Sequence, residues 1–272
     1  MTHHNFLHIL QKGVEEWNQW RLQNPAVQPD LQEVDLRGIN LDGINLRGAN
    51  LYKSNFREAS LRGANLTGAL CYGTDFCMAQ LSAGSILAHA DFHRSNFYTA
   101  DLSEANLRSA HFYKVDLRES NFQNSALDES HFYEADLRSA CLTGANLIRS
   151  SFYCCNLSRA EMSQVNLDLA SLMGTNLSKA NLTEASCVGT NLYKTVLQGS
   201  LLKAADLRNA LLRLADLSNA DLFNADLSRA NLSEARLDYA NLAGANFKRT
   251  NLWKVDLGRL LISKPVKLNV LV

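Results

Sequence analysis

One aspartate and two histidines recur at intervals of 20 residues, and they are the side chains best suited to bind a metal ion. They are Asp91, His111 and His131. Imidazole and carboxylate groups on adjacent strands could reach one zinc or copper ion. Three ligands in a straight column make a poor tetrahedron, however, and the position they share elsewhere holds Asp or Asn as a turn residue. We therefore predict no metal site.

The sequence has six cysteines, with no CxxC pair and no metal-ligand spacing. We expect Cys71, Cys155 and Cys187 to face inward as small apolar residues. The remaining three should face outward and be more reactive: Cys77, Cys141 and Cys154. This cysteine usage is typical of reduced thiols in the cytoplasm.

The sequence offers no groups that would indicate catalysis. It contains no nucleophile paired with a base, no glycine-rich loop for phosphate and no paired carboxylates in a plausible cleft. We therefore predict that the protein is not an enzyme, with no catalytic residue, no cofactor-binding residue and no cofactor.

Aromatic side chains also recur every 20 residues, one in nearly every repeat of that length. We interpret them as an outward-facing strip that binds a protein, because tyrosine and tryptophan are enriched at interface centres. The alternative is cross-strand stacking that only supports the sheet. The predicted interface residues are Tyr52, Tyr72, His93, Tyr113, Tyr133, Tyr153, Tyr193 and Trp253, and the same column includes Met173, Arg213 and Ser233.

A repeat of five residues must position all these groups. Leucine recurs every fifth residue from Leu207 to Leu242, with alanine two residues earlier and usually Asp or Asn immediately before. This period fits neither a helical stripe nor a straight strand, so the chain must turn once per repeat. The central Leu or Phe and the small residue two places earlier should point inward. The other three should face water, so that Leu217 is inward and Ser218 outward.

The aromatic residues also indicate how many repeats close one coil. Phe92, Phe112, Phe132 and Phe152 lie 20 residues apart, whereas Phe76 and Phe97 lie 21 apart. Twenty residues are four repeats, so we predict four-sided coils with a one-residue insertion near residues 84–86. At the ~4.8 Å spacing of hydrogen-bonded strands, about eleven or twelve coils would form a rod of about 55 Å.

The two ends depart from the repeat. Phe6, Leu10, Val14 and Trp17 follow helical spacing, and Asn24 before Pro25 ends that pattern. We predict a helical cap over residues 1–28, because repeat stacks need capped ends; a partner-binding helix is the alternative. The repeats should cover 29–258. The tail, 259–272, either covers the C-terminal end or pairs with another chain.

Runs such as ANLRSA, ADLRSA, ANLTGA and ADLSRA resemble the pentapeptide-repeat family, whose pattern is A(D/N)LXX. The segment GVEEWNQWRLQNP, followed by PDLQEVDLRG, resembles the leader of many cyanobacterial members. The resemblance implies an all-β solenoid, a right-handed quadrilateral β-helix with a short N-terminal α-helical cap. It also implies protein binding without catalysis, and the best-known members imitate DNA and bind topoisomerases.

Charge separates the functional alternatives. Lys plus Arg and Asp plus Glu both number 27, which gives no nucleic-acid footprint. A DNA mimic about 55 Å long would need about thirty net negative charges. Arg37, Arg57, Arg118 and Arg138 share one face, which we interpret as solvated rather than as a site for an acidic partner.

We therefore predict a cytoplasmic, non-enzymatic scaffold that binds another protein or a second copy of itself, with no nucleic-acid or membrane partner. A DNA-mimicking protein that binds topoisomerase or gyrase is the alternative.

Overall fold

The computed structural model describes residues 3–259, and the predicted behaviour of the tail beyond Arg259 lies outside them. Two helices open the chain: α1 spans His3–Leu10 and α2 spans Val14–Gln23. Gly13 separates them with a φ of 114°, a value that favours glycine. Asn24, directly before Pro25, is the C-terminal cap of α2.

Parallel β-bridges join residues 20 positions apart along the rest of the described chain. Three successive rungs are regular enough to form strands: β1 (His111–Tyr113), β2 (His131–Tyr133) and β3 (Ser151–Tyr153), paired in parallel in that order. The bridge separation is 20 residues from Asp30 to Asn50, and 21 where it crosses the segment between Leu81 and Ile86. One coil therefore consists of four pentapeptides, and this segment accommodates one extra residue.

Each pentapeptide uses its backbone amides in a fixed way, as residues 215–219 illustrate. The Ala215 amide closes a turn on the Leu212 carbonyl, at 3.0 Å. The Asp216 amide bonds to the preceding coil (Thr195 O, 3.0 Å), and the next amide, that of Leu217, bonds to the following coil at 2.8 Å. Because buried amides need acceptors, this arrangement repeats along the stack.

The fourth amide of the repeat depends on a side chain. The Ser218 amide donates to Oδ1 of Asp216 at 3.0 Å. The same bond recurs in most repeats, for example from Arg37 to Asp35 at 3.3 Å. This bond at the corner explains why Asp and Asn are frequent immediately before each centre.

The corner itself requires left-handed backbone. The second residue after each centre from Leu31 to Leu252 has a positive φ, between 52° and 61° for the non-glycine residues. A positive φ at the third position of a β-turn is typical of a type II turn, which glycine or asparagine adopts most easily. Here the position is also occupied by Lys, Glu, Arg, Ser and Leu. The ladder hydrogen bonds on either side must therefore stabilise the left-handed conformation.

The core consists of the central residues and the small residues two positions before them, as predicted. Leu217 and Ala215 are fully buried. Phenylalanines stack between coils, with ring centroids 4.6 Å apart for Phe112 and Phe132 and 4.4 Å apart for Phe132 and Phe152. Parallel stacking of identical rings stabilises the four-residue phenylalanine column beyond its burial.

Helix α2 packs against the first coil. Trp17 is fully buried, and its Nε1 donates to the Asn45 carbonyl at 2.8 Å. Asn18 donates to the Gly43 carbonyl and accepts from the Asn45 amide, at 2.9 and 2.8 Å. Arg21 donates to the Arg47 carbonyl at 2.8 Å. The bonds to Asn45 and Arg47 satisfy backbone groups that a preceding coil would otherwise bond.

Three of the residues named above as outward-facing are buried: Ser218, Cys77 and Ser233. Ser218 is 5% exposed, and its hydroxyl donates to Asp216 at 2.6 Å. Cys77 is 2% exposed and lies under Arg57, whose guanidinium is 3.2 Å from the sulfur. The first residue after a centre is therefore exposed only where no larger side chain from a neighbouring residue covers it.

Candidate protein-interaction surface

Six of the eight predicted interface residues form one continuous stack of rings, which we call the aromatic strip: Tyr52, Tyr72, His93, Tyr113, Tyr133 and Tyr153. Each follows a buried central residue on the same side of successive coils. The centroid distances are 4.2 Å for His93 and Tyr113, the shortest, and 5.6 Å for Tyr52 and Tyr72, the longest. The 20-residue register thus brings these rings together.

The aromatic strip lies at the surface, with its rings partly covering one another. Tyr72, Tyr133 and Tyr153 are exposed by 36–38%, and the other three are half-buried. Since each ring face contacts the next ring, the edges are what reach solvent. The strip presents a narrow ridge of aromatic edges, with no cleft in which a substrate could be enclosed.

Basic side chains accompany the strip, a feature that the sequence analysis missed. Lys53 Nζ lies 4.9 Å from the Tyr52 ring centre, and Lys114 Nζ lies 5.2 Å from that of Tyr113. Arg94 is 6.0 Å from the Tyr72 ring. Cations at these distances are attracted by the ring quadrupole. The sequence does contain this pattern, because a basic residue directly follows the aromatic residue in several repeats.

Tyr193 and Trp253 lie in the same column but outside the continuous stack. Met173 separates Tyr193 from Tyr153, and Trp253 is 57% exposed. Both carry a cation of their own: Lys194 lies 5.3 Å from the Tyr193 ring centre and Lys254 lies 4.2 Å from that of Trp253.

The column is otherwise polar toward its C-terminal end. Arg213 pairs with Glu234 at 2.9 Å. Ser233, expected to face outward, is buried beside this ion pair.

The histidine column forms a stack of its own. His111 and His131 have ring centroids 5.1 Å apart with an interplanar angle of 17°. Burial, and then the neighbouring His111, lower the pKa of His131. Among the side chains that the structure describes, those of residues 5–259, no group of three metal-ligating residues comes together.

The thiols divide by burial. Burial raises the pKa of Cys155 and Cys187 to about 12 and also raises that of Cys71, so all three are poor nucleophiles. Burial likewise raises the pKa of Cys77, contrary to the reactivity expected of it. Cys154 alone of the six is exposed.

The arginines expected to share one face form ion pairs there. Arg37 pairs with Asp35 at 2.7 Å, and the hydrogen bond from the guanidinium lowers the pKa of Asp35. Arg118 pairs with Asp116 at 2.6 Å. Arg138 and Asp136 are 2.7 Å apart. These arginines are locally neutralised, which agrees with a solvated face.

Within the described part of the chain, no helix has both the length and the apolar composition needed to cross a bilayer.

Comparison with known proteins identifies the repeats. A family model described as pentapeptide repeats matches residues 30–68, 170–209, 200–237 and 225–259. A second, described as a pentapeptide repeat region, matches residues 85–172. No curated protein matches the sequence.

Solved structures include similar chains. A trypsin-treated form of QnrB1, a plasmid-mediated fluoroquinolone resistance protein, is 17% identical, with a TM-score of 0.51 over 83% of this chain and 91% of that one. At this identity the likeness concerns the fold alone. HetL of the cyanobacterium Nostoc sp. strain PCC 7120, a pentapeptide repeat protein involved in heterocyst differentiation regulation, is 28% identical, with a TM-score of 0.29 over 90% of this chain and 95% of that one.

Proposed function

Because this chain belongs to the pentapeptide repeat family, we propose that it is a non-enzymatic scaffold that binds another protein, or a second copy of itself, through the aromatic strip. Members of this family fold as right-handed quadrilateral β-helices. We infer that residues 29–258 make about eleven or twelve such coils at 20 residues each. We also infer that residues 1–28 cap the first of them.

The observation that carries the proposal is the concentration of aromatic rings in one column. Six rings stack without a break from Tyr52 to Tyr153, a length of five coil steps. At ~4.8 Å per step this is about 24 Å of surface. Rings held by their neighbours lose little conformational freedom when a partner binds, and large, rigid side chains of this kind are typical of interface centres.

The bordering cations indicate the chemistry of the partner surface. Lys53 and Arg94 form no salt bridge within residues 3–259, whereas Lys114 pairs with Glu134 at 3.2 Å. A partner with apolar side chains against the ring edges and a few carboxylates at the border would complement this strip.

The DNA-mimic alternative lacks support from charge. The net charge is zero, and arginines such as Arg118 and Arg138 form ion pairs with the aspartates on their own face. A duplex mimic needs a continuous negative surface at about one charge per 1.7 Å. We therefore favour the scaffold.

The test replaces Tyr113, Tyr133 and Tyr153 with serine in the full chain. We expect the circular dichroism spectrum to be unchanged, because the outward rings contribute no core volume. Self-association in sedimentation velocity, or retention of a partner in affinity capture, should fall at least tenfold, since interface aromatics typically contribute more than 1 kcal/mol each.

A matched control removes three outward aromatics from other columns: Tyr98→Ser, Phe223→Ser and Tyr239→Ser. Phe223 and Tyr239 are exposed, and Tyr98 is half-buried. This variant should associate like the wild type. A wild type that stays monomeric and retains no partner would overturn the proposal, as would equal losses in the two variants.

A further inference from the structure

A cleft of ≈ 480 Å³ lies on another side of the stack, near its C-terminal end. Arg208, Ser228 and Lys248 follow one another in one column, so the small Ser228 forms a depression between two long side chains. Arg229 and Arg249 border it on adjacent coils, as the hydrogen bond from the Arg229 amide to the Lys248 carbonyl shows, at 2.9 Å. Asp226 completes the lining.

The charges in this cleft are not balanced. Arg208 is neutralised by Asp206, 2.6 Å away. Arg229, Lys248 and Arg249 have no ion-pair partner within residues 3–259. The one carboxylate of the cleft is Asp226, which already accepts the Ser228 amide at 2.8 Å and the Asn246 side-chain amide at 3.0 Å. Three cations therefore face one acid that is bonded to neutral donors.

Two outward columns on other parts of the stack place opposite charges on adjacent coils. Lys114 is followed by Glu134 at 3.2 Å, and Arg108 by Asp128 at 2.8 Å. Like charges directly opposite in a sheet repel and destabilise it. Arg229 and Arg249 instead repeat the same charge in one column, one coil apart. Arg118 and Arg138 do so too, but each of those two is paired with an aspartate. The fold gains nothing from this repulsion, whereas a bound anion would relieve it.

We infer that this cleft binds a small anion with two phosphate groups, of the pyrophosphate type. Guanidinium groups bind phosphate oxygens in bidentate fashion, and the Lys248 ammonium adds a point charge. A phosphate offers more acceptor oxygens than a carboxylate, which suits donors that converge from two coils. Two linked phosphates bridge Arg229 and Arg249, whose backbones are separated by one ~4.8 Å coil step.

The experiment is isothermal titration calorimetry of the full chain with inorganic pyrophosphate at about 50 mM ionic strength, where screening is weak. The test variant is Arg229→Asn with Arg249→Asn, since asparagine tolerates the left-handed backbone at both positions (φ 61°). The matched control is Arg94→Asn with Arg149→Asn. It removes two charges from the same kind of position (φ 55°) outside the cleft.

We expect the wild type and the control to bind pyrophosphate equally, more tightly than orthophosphate, and the test variant to bind it at least tenfold more weakly. Absence of binding to the folded wild type, or equal weakening in both variants, would overturn the inference. Tighter binding of a hexaglutamate peptide than of pyrophosphate would also overturn it, since the cleft would then select carboxylates.

Discussion

Leu217 and Asn219 lie two residues apart and experience opposite environments. Leu217 is fully buried, whereas Asn219 is exposed at a corner with a φ of 60°. A carboxylate at the first position loses about 1.5–3 kcal/mol of leucine burial and places a charge among apolar side chains. At the second it remains in water, and aspartate tolerates this backbone conformation.

We therefore expect Leu217→Asp to lower the free energy of unfolding by more than about 4 kcal/mol, and Asn219→Asp to change it by less than about 0.5 kcal/mol. Urea denaturation followed by far-UV circular dichroism measures both. We choose Asn219 rather than Ser218 as the outward control, because Ser218 is buried. Equal midpoints for the two variants would mean that the inward register is misassigned.

The pentapeptide element depends on the residue before its centre. Where that residue is Leu201, the Lys203 amide has no acceptor within residues 3–259, whereas the Ser178 amide bonds to Asn176 at 3.0 Å. Leu201 is also 39% exposed, so little burial would be lost by replacing it. An asparagine there can supply the missing acceptor.

Leu201→Asn should raise the free energy of unfolding by about 1 kcal/mol, the typical net contribution of one hydrogen bond, and Asn176→Leu should lower it by a similar amount. Thermal melts of both variants test this. Leu201→Ala is the control, since it removes the exposed side chain without adding an acceptor. Identical melting temperatures for Leu201→Asn and Leu201→Ala would contradict the role assigned to this bond.

The sequence predicted this element well on its inward side and poorly at its corner. The inward residues could be predicted because nearly every centre is Leu or Phe, with a small residue two places earlier; the exceptions are Cys71, Met162 and Cys187, which are also buried. The left-handed backbone conformation at the corner could not be predicted, because Lys53, Glu58 and Leu169 all adopt it although none of these residue types favours it. The ladder bonds impose this conformation, and no single repeat encodes them. The burial of Cys77 was missed for a related reason, since Arg57 covers it from the neighbouring coil.

At the scale of the whole molecule, everything outward depends on the number of sides in a coil. Four sides align residues 20 apart, and this alignment builds both the aromatic strip and the cationic cleft. The aromatic spacing in the sequence was sufficient to predict the register of the strip. The cleft was not predicted, because it depends on which cations lack a carboxylate on the next coil, and single repeats do not show this.

Native Cys154 provides a test of the number of sides in a coil. It is exposed, and a Cβ built on Gly174 would lie 3.6 Å from its sulfur. Gly174→Cys should therefore form an intramolecular disulfide with Cys154 under mild oxidation, because neighbouring coils bring the two within disulfide reach. Peptide mapping by mass spectrometry would detect the crosslink.

Leu169→Cys and Lys179→Cys lie at left-handed corners one side earlier and one side later (φ 59° and 58°), so Cys154 should remain free in both variants. A crosslink to position 169 would indicate three-sided coils, and one to position 179 would indicate five-sided coils. Either result would contradict the alignment on which both the aromatic strip and the cleft depend.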